Sequence, residues 1–396
     1  MSPRDSGAPP PEWSPSDPRP EPEVLTGSSW TSGTNDAARR PLLVRRPALR
    51  WAFPAVALVL ALTIGGVSRM LAAADAAPAL PPRTAAELLV DLQTAVPQPL
   101  SGTVVQKSDL GLPNLSASGA QGSSDFTSLL TGTHTLRVWY GGKDKQRVAL
   151  LGSLGESDVV RNGNDVWTWS SQKNEATHSR LTDEDLKKVK PSGTPLPSTP
   201  QEAADQALAA ISPTTEVSTD GTAKVAGRAA YELVLKPKDA SSRIGQVRLA
   251  IDAEKKMPLR VRLYARGASS PAFEVGFTQV SFTAPDPAQF TFTPPPGATM
   301  TEQPLATDEH AELKDRLSVV GSGWTRVGIL SGLQSSGSSS GGGPVGSMLD
   351  ALPKVSGSWG SGRLLESDLF CAVLTDDGRL VFGAVDPERL FEAAAR

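Results

Sequence analysis

Residues able to do chemistry are few in this 396-residue chain, and they are badly placed for catalysis. The three histidines, His134, His178 and His310, include no pair at the H-x-x-x-H spacing that sets two imidazoles on one helix face. Residues 337–341, GSSSG, formally match the G-x-S-x-G nucleophile elbow. They lie in a Ser/Gly tract with no strand before it and no helix after it, so the strained turn that exposes such a serine is missing. The glycines of 357–362 lack the Lys-Ser/Thr of a phosphate loop, and Asp376-Asp377-Gly378 lacks the later oxygen ligands of a calcium loop. Asp183 and Asp185 sit in a polar loop, where solvation accounts for them. Cys371 is the sole cysteine, which excludes an intrachain disulfide and a thiolate metal cage. The expectation is no enzyme, no metal and no cofactor. A net charge of −3 leaves no footprint for nucleic acid.

What remains is apolar burial, so the argument turns to the elements that would create it. Residues 51–68, WAFPAVALVLALTIGGVS, carry no charge and follow Arg39, Arg40, Arg45, Arg46 and Arg50. About 20 apolar residues cross a bilayer, and the basic flank stays in the cytoplasm. The reading is a disordered cytoplasmic tail over 1–45, one transmembrane anchor over 46–74, and all later residues outside the cell membrane. A cleaved signal peptide ending near Ala72-Ala73-Ala74 is the competing reading. Its apolar run normally measures only about 7–15 residues, which favours the anchor.

Beyond the membrane, Thr84 and Glu87 form a capping box ahead of the helix TAAELLVDLQTAV, whose apolar stripe is Leu88, Leu89, Leu92 and Val96. The period then changes to two. LSGTVVQ, HTLRVWY, RVALLG, and the pair flanking Asn162-Gly163 read as antiparallel strands and hairpins. Leu136, Val138 and Tyr140 share one strand face, and Trp167 and Trp169 share one face of another. A second amphipathic helix is expected over 202–211, followed by AKVAGRAAYELVLKP, QVRLAID, LRVRLYA, FEVGFTQVSF and QFTFTP as further strands. The order helix, strands, helix, strands fits a highly curved sheet with helices on its concave side better than a doubly wound one. A last region, 299–396, reads as a small α+β domain. It comprises a polar joint, a strand over 318–330, a flexible Gly/Ser loop over 331–347, a hairpin across 376–378 and a final helix opening at Pro387.

Two stretches carry a family resemblance. FTFTPPPG (290–297) resembles the closing signature of the LolA/LppX/RseB superfamily, a strand of alternating aromatics ending in Pro-Pro-x-Gly. NGNDVWTWSSQKNEATHSRL (162–181) resembles the same family's hairpin with paired aromatics. With the first helix in its expected position, the resemblance covers about residues 84–298. It is nearest to membrane-anchored actinobacterial proteins of the LolA-like, MucB/RseB N-terminal-like kind. The resemblance implies an α+β fold over 82–298: a half-open antiparallel β-barrel with a helical lid over an apolar cavity. It further implies an acyl chain, lipid or lipoprotein as ligand. Leu88, Leu92, Leu136, Val138, Tyr140, Trp167 and Trp169 are the candidate trough residues. Two departures stand out. The family's carriers are soluble single-domain shuttles, and the arginine that pins their lid has no counterpart in the turn Gly141-Gly142-Lys143. An RseB-like sensor that binds a membrane-protein partner, such as an anti-sigma factor, is the alternative. A scaffold with no cavity is the third reading.

Overall fold

The computed structural model describes residues 79–112, 124–153, 155–182, 212–303, 316–333 and 351–396. The predicted anchor at 51–68, the helix at 202–211 and most of the Gly/Ser loop lie outside them. Among the described residues, no helix is long and apolar enough to cross a membrane.

The described residues form a mostly-β architecture of two open sheets. Helix α1 (Ala85–Thr94) opens it, with Thr84 capping the Glu87 amide and the Glu87 carboxylate accepting from the Thr84 N–H. Such a cap contributes about 1 kcal/mol. Strands β1 (Leu100–Ser108), β2 (Gly132–Gly142), β3 (Lys145–Gly152), β4 (Gly155–Asn162), β5 (Asp165–Ser170) and β6 (Glu175–Arg180) follow. They are joined by β7 (Thr215–Val225), β8 (Arg228–Pro237), β9 (Ile244–Asp252), β10 (Pro258–Ala265), β11 (Phe273–Ser281) and β12 (Thr299–Glu302). All twelve make one sheet in the order β12-β6-β5-β4-β3-β2-β1-β11-β10-β9-β8-β7. Every pairing is antiparallel except β12 with β6. β7 makes contact with β11 although three strands intervene. In a flat sheet the two would stand about 19 Å apart, so the sheet curls strongly. It does not close, because β7 and β12 remain at its two ends.

The sequence predicts a strand through QFTFTP, and here the structure differs. A 3-10 turn (Pro287–Phe290) is capped by the Asp286 side chain, and residues 291–298 run without sheet pairing to β12. Three consecutive prolines at 294–296 have no N–H to give to a ladder. The polar joint expected from residue 299 begins instead as β12, which extends the large sheet.

The second sheet comprises β13 (Leu317–Val320), β14 (Val327–Leu330), β15 (Lys354–Gly357), β16 (Gly360–Glu366), β17 (Cys371–Thr375) and β18 (Leu380–Gly383), ordered β13-β14-β18-β17-β16-β15. The single strand predicted over 318–330 is two strands. Gly321 and Gly323 take φ of +85° and +60° and turn the chain between them. Helix α2 (Pro387–Ala394) packs on β14, β17 and β18, where Val373, Val381, Cys371 and Leu390 are fully buried.

The two sheets share a junction. The Arg243 N–H donates to the Ala384 carbonyl at 2.8 Å, and Ser242 bridges Val385. Arg266 Nη2 donates to both Asp386 oxygens at 2.9 and 2.8 Å. Leu110, Ala272 and Leu369 form an apolar cluster beside them.

Candidate functional site

Register decides which of the candidate residues share a surface. Val138 pairs with Val148, Val148 with Val159 and Val159 with Thr168, whereas Trp139 pairs with Arg147, Arg147 with Val160 and Val160 with Trp167. Directly opposed residues of an antiparallel ladder project to the same side. Leu136, Val138 and Tyr140 therefore occupy one face of the sheet, and Trp167 and Trp169 occupy the other. A third row, His134–Gln106–Val275–Val261–Leu249–Leu233, belongs to the face of Leu136. Leu88 and the half-buried Leu92 of α1 pack on that face at its far end, against Tyr231, Leu233 and Ile251. Five of the seven residues thus line one side, in two separate apolar clusters.

Leu136, Val138 and Tyr140 are buried in a cluster with Leu100, Val104, Val148, Leu150 and Phe277. Fully burying side chains of this kind contributes about 1.5–3 kcal/mol each. A cavity of about 20 Å³ opens among Leu100, Val138, Tyr140, Val148, Met257 and Phe277. That is room for about one water molecule, whereas ligand pockets measure roughly 300–1,000 Å³. A 3-10 turn (Phe126–Leu130) covers the neighbouring end of the same face. Gln106 Nε2 and Ser108 Oγ donate to the Leu129 and Leu130 carbonyls at 2.8 Å, and His134 Nε2 donates to the Thr131 carbonyl at 2.7 Å. Phe126 and Leu129 pack on the cluster. Burial also pushes the Tyr140 hydroxyl above its ordinary range, with Asp144 adding to the shift. Phe277 was legible as a candidate from the alternation of FEVGFTQVSF. Met257 sits before a strand, in a turn where no periodicity marks it.

The opposite face is aromatic and ionic. Phe292, from the unpaired stretch after the 3-10 turn, packs on Trp167 at 5.4 Å and Trp169 at 6.0 Å between ring centroids. Phe290, only 2 % exposed, lies so close to Gly141 that a Cβ there would meet its ring at 2.9 Å. His178 stacks on Trp167 and reaches Asp165 with Nε2 and Glu302 of β12 with Nδ1, both at 2.9 Å. Burial pushes the Asp158 carboxyl up to about 6, against the pull of the Arg147 guanidinium at 2.7 Å. That guanidinium also stands over the Trp139 ring. These groups fix the closing segment on the sheet. Trp139 and Arg147 also border the small cavity beside Val138 and Tyr140.

Residues 129–294 match the family model described as the MucB/RseB N-terminal domain. The chain is similar in structure to MucB in the Pseudomonas aeruginosa MucA/MucB complex. There the TM-score is 0.41 at 17% identity, covering 78% of this chain and 96% of that one. A LolA superfamily protein of Nitrosomonas europaea aligns with a TM-score of 0.20 at 13% identity, over 53% of this chain and 99% of that one. Comparison with curated proteins finds no match.

Proposed function

From the MucB/RseB N-terminal domain match over residues 129–294 as premise, we propose that the chain is a membrane-anchored extracytoplasmic receptor or chaperone for an acyl chain, as part of a lipid or lipoprotein. It works by burial and without covalent chemistry. The observation that carries this reading is the apolar Leu136 face, with its small cavity at Val138, Tyr140, Met257 and Phe277. An acyl chain needs a dry surface and no specific polar partner, and each methylene it buries contributes about 0.8 kcal/mol. The cavity as it stands is too small for one. Cargo therefore enters by displacing a covering element such as the 126–130 turn. The three side-chain-to-carbonyl hydrogen bonds that hold residues 129–131 each contribute only about 1 kcal/mol.

Native mass spectrometry of the gently purified full chain, followed by organic extraction, tests the proposal. A co-purifying mass released as a lipid or acylated peptide supports it. A bare chain that takes up neither added fatty acid nor lipopeptide overturns it. The second reading is an RseB-like sensor whose loaded state is passed to a membrane-protein partner, such as an anti-sigma factor. The junction between the sheets favours it, because Arg243 and Arg266 tie the turns beside β9 and β10 to the segment that starts α2.

A further inference from the structure

The six-stranded sheet has one sealed face and one open face. Ser318–Ile329–Val381–Val373–Leu364 is a continuous paired row; its side from Ile329 to Leu364 is buried in the cluster under α2. The alternate rows are Leu317–Leu330–Leu380–Leu374–Arg363–Lys354 and Val319–Gly328–Phe382–Ala372–Leu365. Their side chains are all exposed or half-buried: Leu317, Val319 and Phe382 are 41%, 56% and 38% exposed. The Phe382 ring lies across Gly328, where a Cβ would come within 2.6 Å of it, so the middle of the face is flat as well as apolar. Charge on these two rows is one-signed. Arg363 and Lys354 stand at one side, with Arg363 Nη1 donating to the Leu352 carbonyl at 3.1 Å; the exposed Arg326 directly precedes β14, and the exposed Asp376, which accepts from Ser361, directly follows β17. The whole chain, by contrast, carries 42 acidic residues to 39 basic.

We propose that this open face of the small sheet docks on the surface of an anionic lipid bilayer, with Leu317, Val319 and Phe382 entering the interface and Lys354 and Arg326 meeting headgroup phosphates. An apolar patch whose border carries more cations than carboxylates is the chemistry that such a surface selects. Apolar burial and attraction to anionic headgroups add there, at about 1 kcal/mol per basic residue. A protein partner would also bury three apolar side chains; what favours the bilayer is the excess of cations at the border of this patch in a chain of net negative charge. The inference rests on the reading that the protein works beside a membrane; it does not depend on what the Leu136 face carries.

The test is amide hydrogen exchange on the full chain with lipid vesicles of phosphatidylcholine alone and of phosphatidylcholine with phosphatidylglycerol. Exchange across 317–330 and 372–382 should slow severalfold with the anionic vesicles and much less with the neutral ones. Val319→Asp and Phe382→Asp should abolish the protection, and Lys354→Glu should reduce it, with unchanged near-ultraviolet circular dichroism showing the fold intact. Equal exchange in both vesicles overturns the proposal, and so does protection that rises with protein concentration without lipid, which would make the face a contact between copies. A chain that carries no extractable lipid fails the cargo reading and leaves this exchange result unaffected.

Discussion

The large sheet uses both of its faces, and the small sheet uses one. On the large sheet, one side buries Leu136, Val138 and Phe277 and, farther along, receives α1. Around β3 to β5 the other side is covered by Phe290 and Phe292. On the small sheet, α2 seals Val373 and Val381 while Val319 and Phe382 on the other side meet water. A strand buried on both faces loses its alternation, and one with a wet face should alternate apolar with polar. The small sheet breaks that rule, since its wet face is apolar too. Apolar residues of the large sheet are covered by other parts of the chain. The open apolar rows of the small sheet are not, which points to contact with something outside the chain.

Substitutions separate the two cases. Val138→Asp places a charge in the covered face and should cost at least about 4 kcal/mol, enough to abolish the cooperative melt. Phe290→Ala should cost about 3–5 kcal/mol by leaving a void over Gly141, with faster amide exchange through 286–298. If it costs less than 1 kcal/mol, the second face of the large sheet is not truly packed.

Asp158 gives a pH signature of the same covered face. Its carboxyl stands near 6 in the folded protein against about 4 in an unfolded chain, so the native state holds the proton more tightly. The contribution of Asp158 to stability is therefore fully present below about pH 4, falls as pH rises through 4 to 6, and levels off above. The whole effect is at most about 3 kcal/mol and is smaller to the extent that Arg147 relaxes with it. Denaturant melts across that range should show the slope, and Asp158→Asn should flatten it. Arg266→Ala, at the exposed junction, should cost only about 1 kcal/mol and raise exchange near 384–386. Smallest of all, Val319→Asp should change stability by no more than about 0.5 kcal/mol in the absence of lipid. A large loss there would show that the open face is covered within the chain.

Much of this was legible in the sequence. Alternation and the Asn162-Gly163 turn located β1 to β6, and the Thr84–Glu87 pair located the start of α1. Facing was harder to read. Period two says that Trp167 and Trp169 share a side of β5, but the side relative to Val138 depends on pairing through β3 and β4, including the irregularity at Gly141-Gly142. Grouping the tryptophans with Leu136 could not be tested until that register was known. FTFTP read as a strand because aromatic alternation looks the same whether or not the backbone pairs; the prolines beyond it decided otherwise. In DLFCAVL the apolar residues run continuously, so neither face of β17 could be marked as core.

The most direct measurement is photo-crosslinking of the full chain with a diazirine-bearing fatty acid, mapped by peptide mass spectrometry. The account predicts label on β2, β3, Met257 and Phe277, competed away by unlabelled fatty acid. Competed label confined to Trp167 and Trp169, or no competed label at all, would contradict the assignment of the Leu136 face as the acyl site.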